Sequence, residues 1–252
     1  MGKKLIIGNW KMNLNMQEAS LYLHKLMEIL PSHRDVETVV APTMLTLQSL
    51  SLQVNRRVAK LAAQNCYWRD QGPYTGEVPA AHLRGIVDYV LIGHSERRYL
   101  FAESDKDIRA KVQAAIRNRI QPVLCIGETI QERTLGETRD VLHDQLTNGL
   151  ANVTADELGE IVIAYEPVWA IGTGEFARPA DVKAAIRDIR RHVAQLFGKK
   201  AAEEVRVIYG GSITVDNAAD YLAIAELDGL LMGGTRLKAQ QFANIITMAH
   251  EA

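Results

Sequence analysis

Residues 161–196 read IVIAYEPVWAIGTGEFARPADVKAAIRDIRRHVAQL. The first five residues form a continuous apolar and aromatic run, as expected of a strand buried on both faces of a parallel sheet. Val182, Ala185, Ile186, Ile189, Val193 and Leu196 then recur at offsets of 0, 3, 4, 7, 11 and 14, a single stripe along an α-helix. Between the two, Pro167 holds Glu166 out of the α region and ends the strand. The stretch is therefore one strand-loop-helix unit. Similar apolar runs lie at 5–7, 38–41, 58–63, 89–92, 123–126, 205–209 and 229–232, and Ala19, Tyr22, Leu23, Leu26, Met27 and Leu30 make another helical stripe. No Pro/Gly/Ser-rich linker or low-complexity segment interrupts the alternation, so residues 1–252 read as one α/β domain. Eight such units fit either a closed (β/α)8 barrel with an outer ring of helices or an open doubly wound sheet. Polar residues gather at the C-terminal ends of the runs: Asn9 and Lys11, Gln64 and Asn65, His94 to Glu96, Glu128, Glu166 and Ser212. Closure would place all of them on one rim around one pocket, which favours the barrel.

Hydrophobic residues make up 47% of the 252 and charged residues 23%, an ordinary globular balance that argues against disorder. A chain of this length removes roughly 70 to 75% of its unfolded surface from water on folding. The 29 Lys and Arg against 30 Asp and Glu leave a formal net charge of -1, which supplies no global field for nucleic acid or an anionic membrane. Neither is expected as a partner, and any anion has to be recognised locally. The two cysteines, Cys66 and Cys125, have no CxxC spacing and no adjacent histidine, a pattern that fits neither a disulfide framework nor a zinc site. A reducing compartment, the cytoplasm, is the expectation. The run at 5–7 is too short for a signal-peptide core or a membrane span.

Four strand ends carry chemistry: GNWKMN at 8–13, IGHSERR at 92–98, AYEPVWAIGTG at 164–174 and YGGS at 209–212. In this order they resemble the triosephosphate isomerases, and the resemblance continues to the Gly233-Gly234 pair. It implies a (β/α)8 barrel that interconverts dihydroxyacetone phosphate and D-glyceraldehyde 3-phosphate, a step of glycolysis and gluconeogenesis. The reaction would pass through an enediolate without metal or organic cofactor.

Moving a proton between adjacent carbons needs one mobile base, and Glu166 at a strand end is the candidate, although an acid so placed is by itself more often a surface residue. His94 precedes Ser95, a good N-cap. A short helix over 96–101 would aim its first amides at the imidazole and favour a neutral ring. Such a ring can polarise substrate oxygens, the role the resemblance implies, where a lone histidine would otherwise be structural. Lys11 can stabilise negative charge on the enediolate, or be an ordinary solvated lysine. The resemblance adds Asn9 as a hydrogen-bond donor to the same oxygens. Glu96 is open between a supporting role and an ion pair with Arg97 or Arg98. Phosphate would be held, by resemblance, on the backbone N–H groups of Gly172, Ser212, Gly233 and Gly234, where glycine permits close approach. The GxGxxA pattern at 172–177 lacks the strand-turn-helix context of a dinucleotide site. Cys125 reads as packing.

The segment 66–80 is long for a β/α loop and carries Tyr67, Trp68 and Tyr74, which either fold back locally or need a partner surface. The resemblance implies a homodimer in which this loop docks into the twin subunit and Thr75 reaches the neighbour's Asn9 and Lys11. A lid over 167–177 is implied as well. Departures from the family pattern are Leu14, Glu175, Phe176, Thr235 and Arg236, and they bear on the lid and on affinity. Two other functions stay open at this point: an aldolase-type barrel with Lys11 as Schiff-base nucleophile, and a non-catalytic binding barrel.

Overall fold

The computed structural model describes residues 3–30, 35–172, 174–233 and 238–252. Eight parallel strands close into a barrel in chain order: β1 (Lys4–Asn9), β2 (Val36–Ala41), β3 (Lys60–Ala63), β4 (Tyr89–Ile92), β5 (Gln121–Ile126), β6 (Val162–Tyr165), β7 (Arg206–Gly210) and β8 (Gly229–Gly233). β8 returns to β1 with Leu5 opposite Gly229 and Asn9 opposite Gly233. This closure excludes the open sheet and leaves no unpaired strand edge. Each apolar run falls on a strand, its ends displaced by no more than two residues.

The runs are continuous because both strand faces pack. Leu5, Ile7, Leu91, Val123, Val162 and Ile208 fill the barrel interior, while Ile6, Val90, Ile92, Leu124, Ile163 and Val207 meet the surrounding helices. Cys125 lies in the inner layer, and full burial pushes its thiol well above the ordinary range, in keeping with a packing role. At the N-terminal end of the barrel Glu37 receives Lys60 Nζ at 2.6 Å, the Tyr89 hydroxyl at 2.6 Å and Arg206 at 3.2 Å. Burial opposes ionisation of Glu37, but these hydrogen bonds and charges outweigh it and hold the carboxyl below its usual range. The opposite end stays open for the site.

The helix Pro179–Phe197 begins with proline in its first turn, where the missing N–H costs nothing. Val182, Ala185, Ile186, Ile189 and Val193 are buried as the stripe requires, but Leu196, in the last turn of the helix, is 41% exposed. The buried face also holds His192, which the apolar stripe did not reveal. Its ring stacks on His143 of the helix Thr138–Gly149, with centroids 3.9 Å apart and planes 13° apart. His192 Nε2 pairs with Thr147 Oγ1 at 2.8 Å, whereas His143 Nε2 is buried without a hydrogen-bond partner among the described residues. Burial, then His192 and Arg139, depress the His143 pKa against the opposing pull of Asp188 and Asp140. The folded chain therefore binds fewer protons here than the unfolded chain below the unfolded histidine value of about 6.5. The contribution is complete above that pH and is lost as pH falls through the folded value. In urea titrations between neutral pH and pH 5, His143→Gln should lose stability less steeply than the parent chain. Equal slopes would remove His143 from the acid response.

Candidate active site

After β1 the backbone turns sharply, and Lys11 and Leu14 both take left-handed conformations, with φ of 54° and 64°. A residue with a Cβ pays roughly 1–2 kcal/mol for this, so each needs support. Asn9 Oδ1 accepts from the Lys11 N–H at 3.0 Å, and Gln64 Nε2 donates to the carbonyls of Lys11 and Ala41, each at 2.9 Å. Leu14 is packed against the main core. The clamped backbone sends the Lys11 ammonium to Glu96, Nζ to Oε1 at 2.6 Å. Gly233 makes room for the stem, since a Cβ there would lie 2.7 Å from Lys11 Cε. Glu96 thus pairs across the rim with Lys11, while Arg97 and Arg98 bind Glu103 and Asp105.

At the end of β4 the helix Ser95–Leu100 is capped by His94 itself, not by Ser95. The Glu96 N–H donates to His94 Nδ1 at 3.2 Å. A backbone N–H can only donate, so Nδ1 carries the lone pair and a neutral ring has its proton on Nε2. Nε2 faces Glu166 Oε1 at 3.5 Å. Ser95, the first helical residue, donates its N–H to Glu166 Oε2 at 3.3 Å.

Glu166 is only 3% exposed. Its N–H donates to the Ile126 carbonyl at 2.7 Å, and a Cβ at Gly127 would lie 1.9 Å from the Glu166 carbonyl oxygen. Gly210 lies against the side chain, because a Cβ there would fall 2.9 Å from Glu166 Cγ.

The segment that follows is anchored at both ends. Val168–Ala170 forms a 3-10 turn, and the Trp169 indole N–H donates to Glu128 Oε1 at 2.9 Å beneath the Arg133 guanidinium, 4.4 Å from the ring centroid. The Tyr165 hydroxyl donates to the same carboxylate at 3.2 Å. Burial raises the Glu128 pKa despite these donors. Glu128 and its partners were visible in the sequence only as polar and aromatic residues near strand ends. Ser212 gives both its N–H and its hydroxyl to the Ala170 carbonyl, at 3.1 and 2.5 Å. Farther along, the Tyr221 hydroxyl donates to the Ala177 carbonyl at 2.8 Å. Gly172 and Gly174 lie between these anchors at φ of 72° and 84°, conformations that glycine alone adopts without strain.

A cavity of about 530 Å³ at the C-terminal rim brings together Asn9, Lys11, His94, Glu166, Gly172, Ser212 and Gly233. Glu96 joins through Lys11, and Ser95 through Glu166. Gly234, Thr235 and Arg236 lie outside the described residues. Thr75 is not brought to this cavity within the chain; it is exposed in the turn closed by the Glu77 N–H on the Tyr74 carbonyl. The loop aromatics fold back locally: Tyr67 stacks on Trp68 at 4.0 Å and meets Tyr74 at 4.6 Å. Greater apolar exposure is found at Met12, 94% exposed, and Phe101, 68%. Both line a second cavity of about 410 Å³ that shares Asn9, Lys11 and His94 with the first. Among the described residues no three His, Cys, Asp or Glu side chains gather as a metal-holding group, and no helix is long and apolar enough to cross a membrane.

The family model described as triosephosphate isomerase matches residues 4–249. A protein named triosephosphate isomerase from Chloroherpeton thalassium is 41% identical over 251 residues, covering 99% of this chain and all of the relative. Those of the same name from Trichlorobacter lovleyi and Caldanaerobacter subterraneus subsp. tengcongensis are each 40% identical, over 96% and 98% of this chain and 97% and 99% of their own lengths. With the match running through every strand of the barrel, the chain belongs to the triosephosphate isomerase family.

Proposed function

We propose that this chain, an isomerase by family, interconverts dihydroxyacetone phosphate and D-glyceraldehyde 3-phosphate by proton transfer through an enediolate. One observation carries the reading: a buried carboxylate, an imidazole whose neutral form presents an N–H, and a paired ammonium all face one cavity, contributed by β6, β4 and the end of β1. Glu166 takes the proton from one carbon and returns it to the next. His94 Nε2–H and Asn9 polarise the two substrate oxygens, and Lys11 stabilises the negative charge that develops on them. The amides of Gly172, Ser212, Gly233 and Gly234 hold the phosphate. Ser212 now donates to Ala170, so phosphate binding exchanges that carbonyl for an anion and couples the ligand to movement of the segment 167–177. Covering the site excludes water and keeps the enediolate from expelling its neighbouring phosphate. A coupled assay of the purified chain on D-glyceraldehyde 3-phosphate tests the reading, and absence of isomerisation would overturn it.

The working form is a homodimer in which the partner's loop at 66–80 enters the second cavity and covers Met12 and Phe101. Its Thr75 would then brace Asn9 and Lys11. In sedimentation at micromolar concentration the chain should run at twice its 28.0 kDa mass, and removal of the loop tip should give weakly active monomers. A parent chain that stays monomeric would refute the assembly.

A further inference from the structure

We propose that Phe176 sets the affinity of this chain for the phosphate end of its ligand, its ring folding onto Ile213 and Val215 as the segment 167–177 covers the site. The inference rests on the isomerase reading and adds a binding element to it. Phe176 is 51% exposed, yet it forms part of the wall of the 530 Å³ cavity. Ile213 and Val215, on the turn directly after Ser212, form part of the same wall, with Thr214 and Gly211 between or beside them; Asp216, the charged residue of that turn, is not part of the wall. One residue beyond the ring, Ala177 is buried and its carbonyl is held by the Tyr221 hydroxyl, so the base of the ring is fixed. Two residues before it, Gly174 at φ 84° provides a joint.

A half-exposed phenyl ring beside an apolar wall gains by being covered. If it is covered only when ligand holds the segment down, that gain enters the affinity. A ring that closes onto the turn after Ser212, and makes no contact with Glu166 or His94, acts equally on bound substrate and transition state. The effect then falls on KM and leaves turnover nearly alone. Apolar area covered on binding also makes the heat capacity of binding more negative.

The test is calorimetry with glycerol 3-phosphate, which has the phosphate and the carbon chain but no carbonyl, together with kinetics on the same preparations. Phe176→Thr should weaken glycerol 3-phosphate binding about tenfold, raise KM by a similar factor with kcat within about twofold, and make the heat capacity of binding less negative. Phe176→Leu should recover most of the affinity, because an apolar side chain of similar reach replaces the ring. Unchanged binding and heat capacity in Phe176→Thr would overturn the proposal, as would a fall in kcat at unchanged affinity. A parent chain that binds glycerol 3-phosphate and does not isomerise would overturn the isomerase reading instead, so the two failures are distinguishable.

Discussion

Glu166→Gln should fold as the parent chain does and turn over D-glyceraldehyde 3-phosphate at least roughly 10²- to 10⁴-fold more slowly, the range for loss of a positioned base. The amide matches the carboxylate in size, so the close fits against Gly127 and Gly210 survive, and the Ser95 N–H can still find an oxygen acceptor. What is lost is the capacity to take a proton from carbon. The measurement is kcat in the coupled assay with the melting temperature recorded on the same preparation. A folded Gln variant with near-parental turnover would remove Glu166 from the chemistry.

Lys11→Met is expected to lower kcat by about 10²- to 10³-fold, comparable to loss of one preorganised donor to a developing oxyanion, and to raise KM as well. Two effects act in the same direction. The cation that faces the enediolate disappears, and Glu96, whose partner at 2.6 Å was that ammonium, is left as a bare negative charge beside a site where negative charge builds up. Adding Glu96→Gln to Lys11→Met should therefore recover part of the loss, an interaction a double-mutant cycle would expose. Unchanged KM and kcat in the single variant would make Lys11 an ordinary surface charge.

The barrel was legible because each of its strands is buried on two faces, which leaves an unbroken apolar run in the sequence whichever layer a residue joins. Glu166, His94 and Lys11 were legible as residues of motifs at strand ends, and the structure brings all three to one cavity. Their partners were not, since pairing across the rim joins residues far apart in the chain. Glu96 could be assigned to Arg97, Arg98 or Lys11 only once β1 and β4 were placed around one barrel. The same holds for Gln64, whose side chain fixes the backbone of Lys11 across 53 residues. Local reading also misjudged the cap at His94, because Ser95 is a common capping residue and an imidazole acceptor is not. In the segment 66–80 the aromatic rings satisfy one another, and the exposed apolar groups beside the site, Met12 and Phe101, lie outside that loop.

Gly127 lies against the carbonyl of Glu166, and Gly210 lies against its Cγ. A glutamate free at a surface samples many side-chain rotamers, and fixing one costs up to roughly 1.5–2 kcal/mol of conformational entropy. Here part of that ordering occurs when the strands close, since the folded side chain is buried and lies against Gly210. In the proposed reaction the arriving triose would meet a Glu166 carboxylate already seated on the Ser95 N–H, so less of its own binding free energy would go into ordering that side chain. Bare backbone at Gly210 makes room for that seat, and part of an entropic penalty thereby moves out of the reaction and into the folding of the barrel.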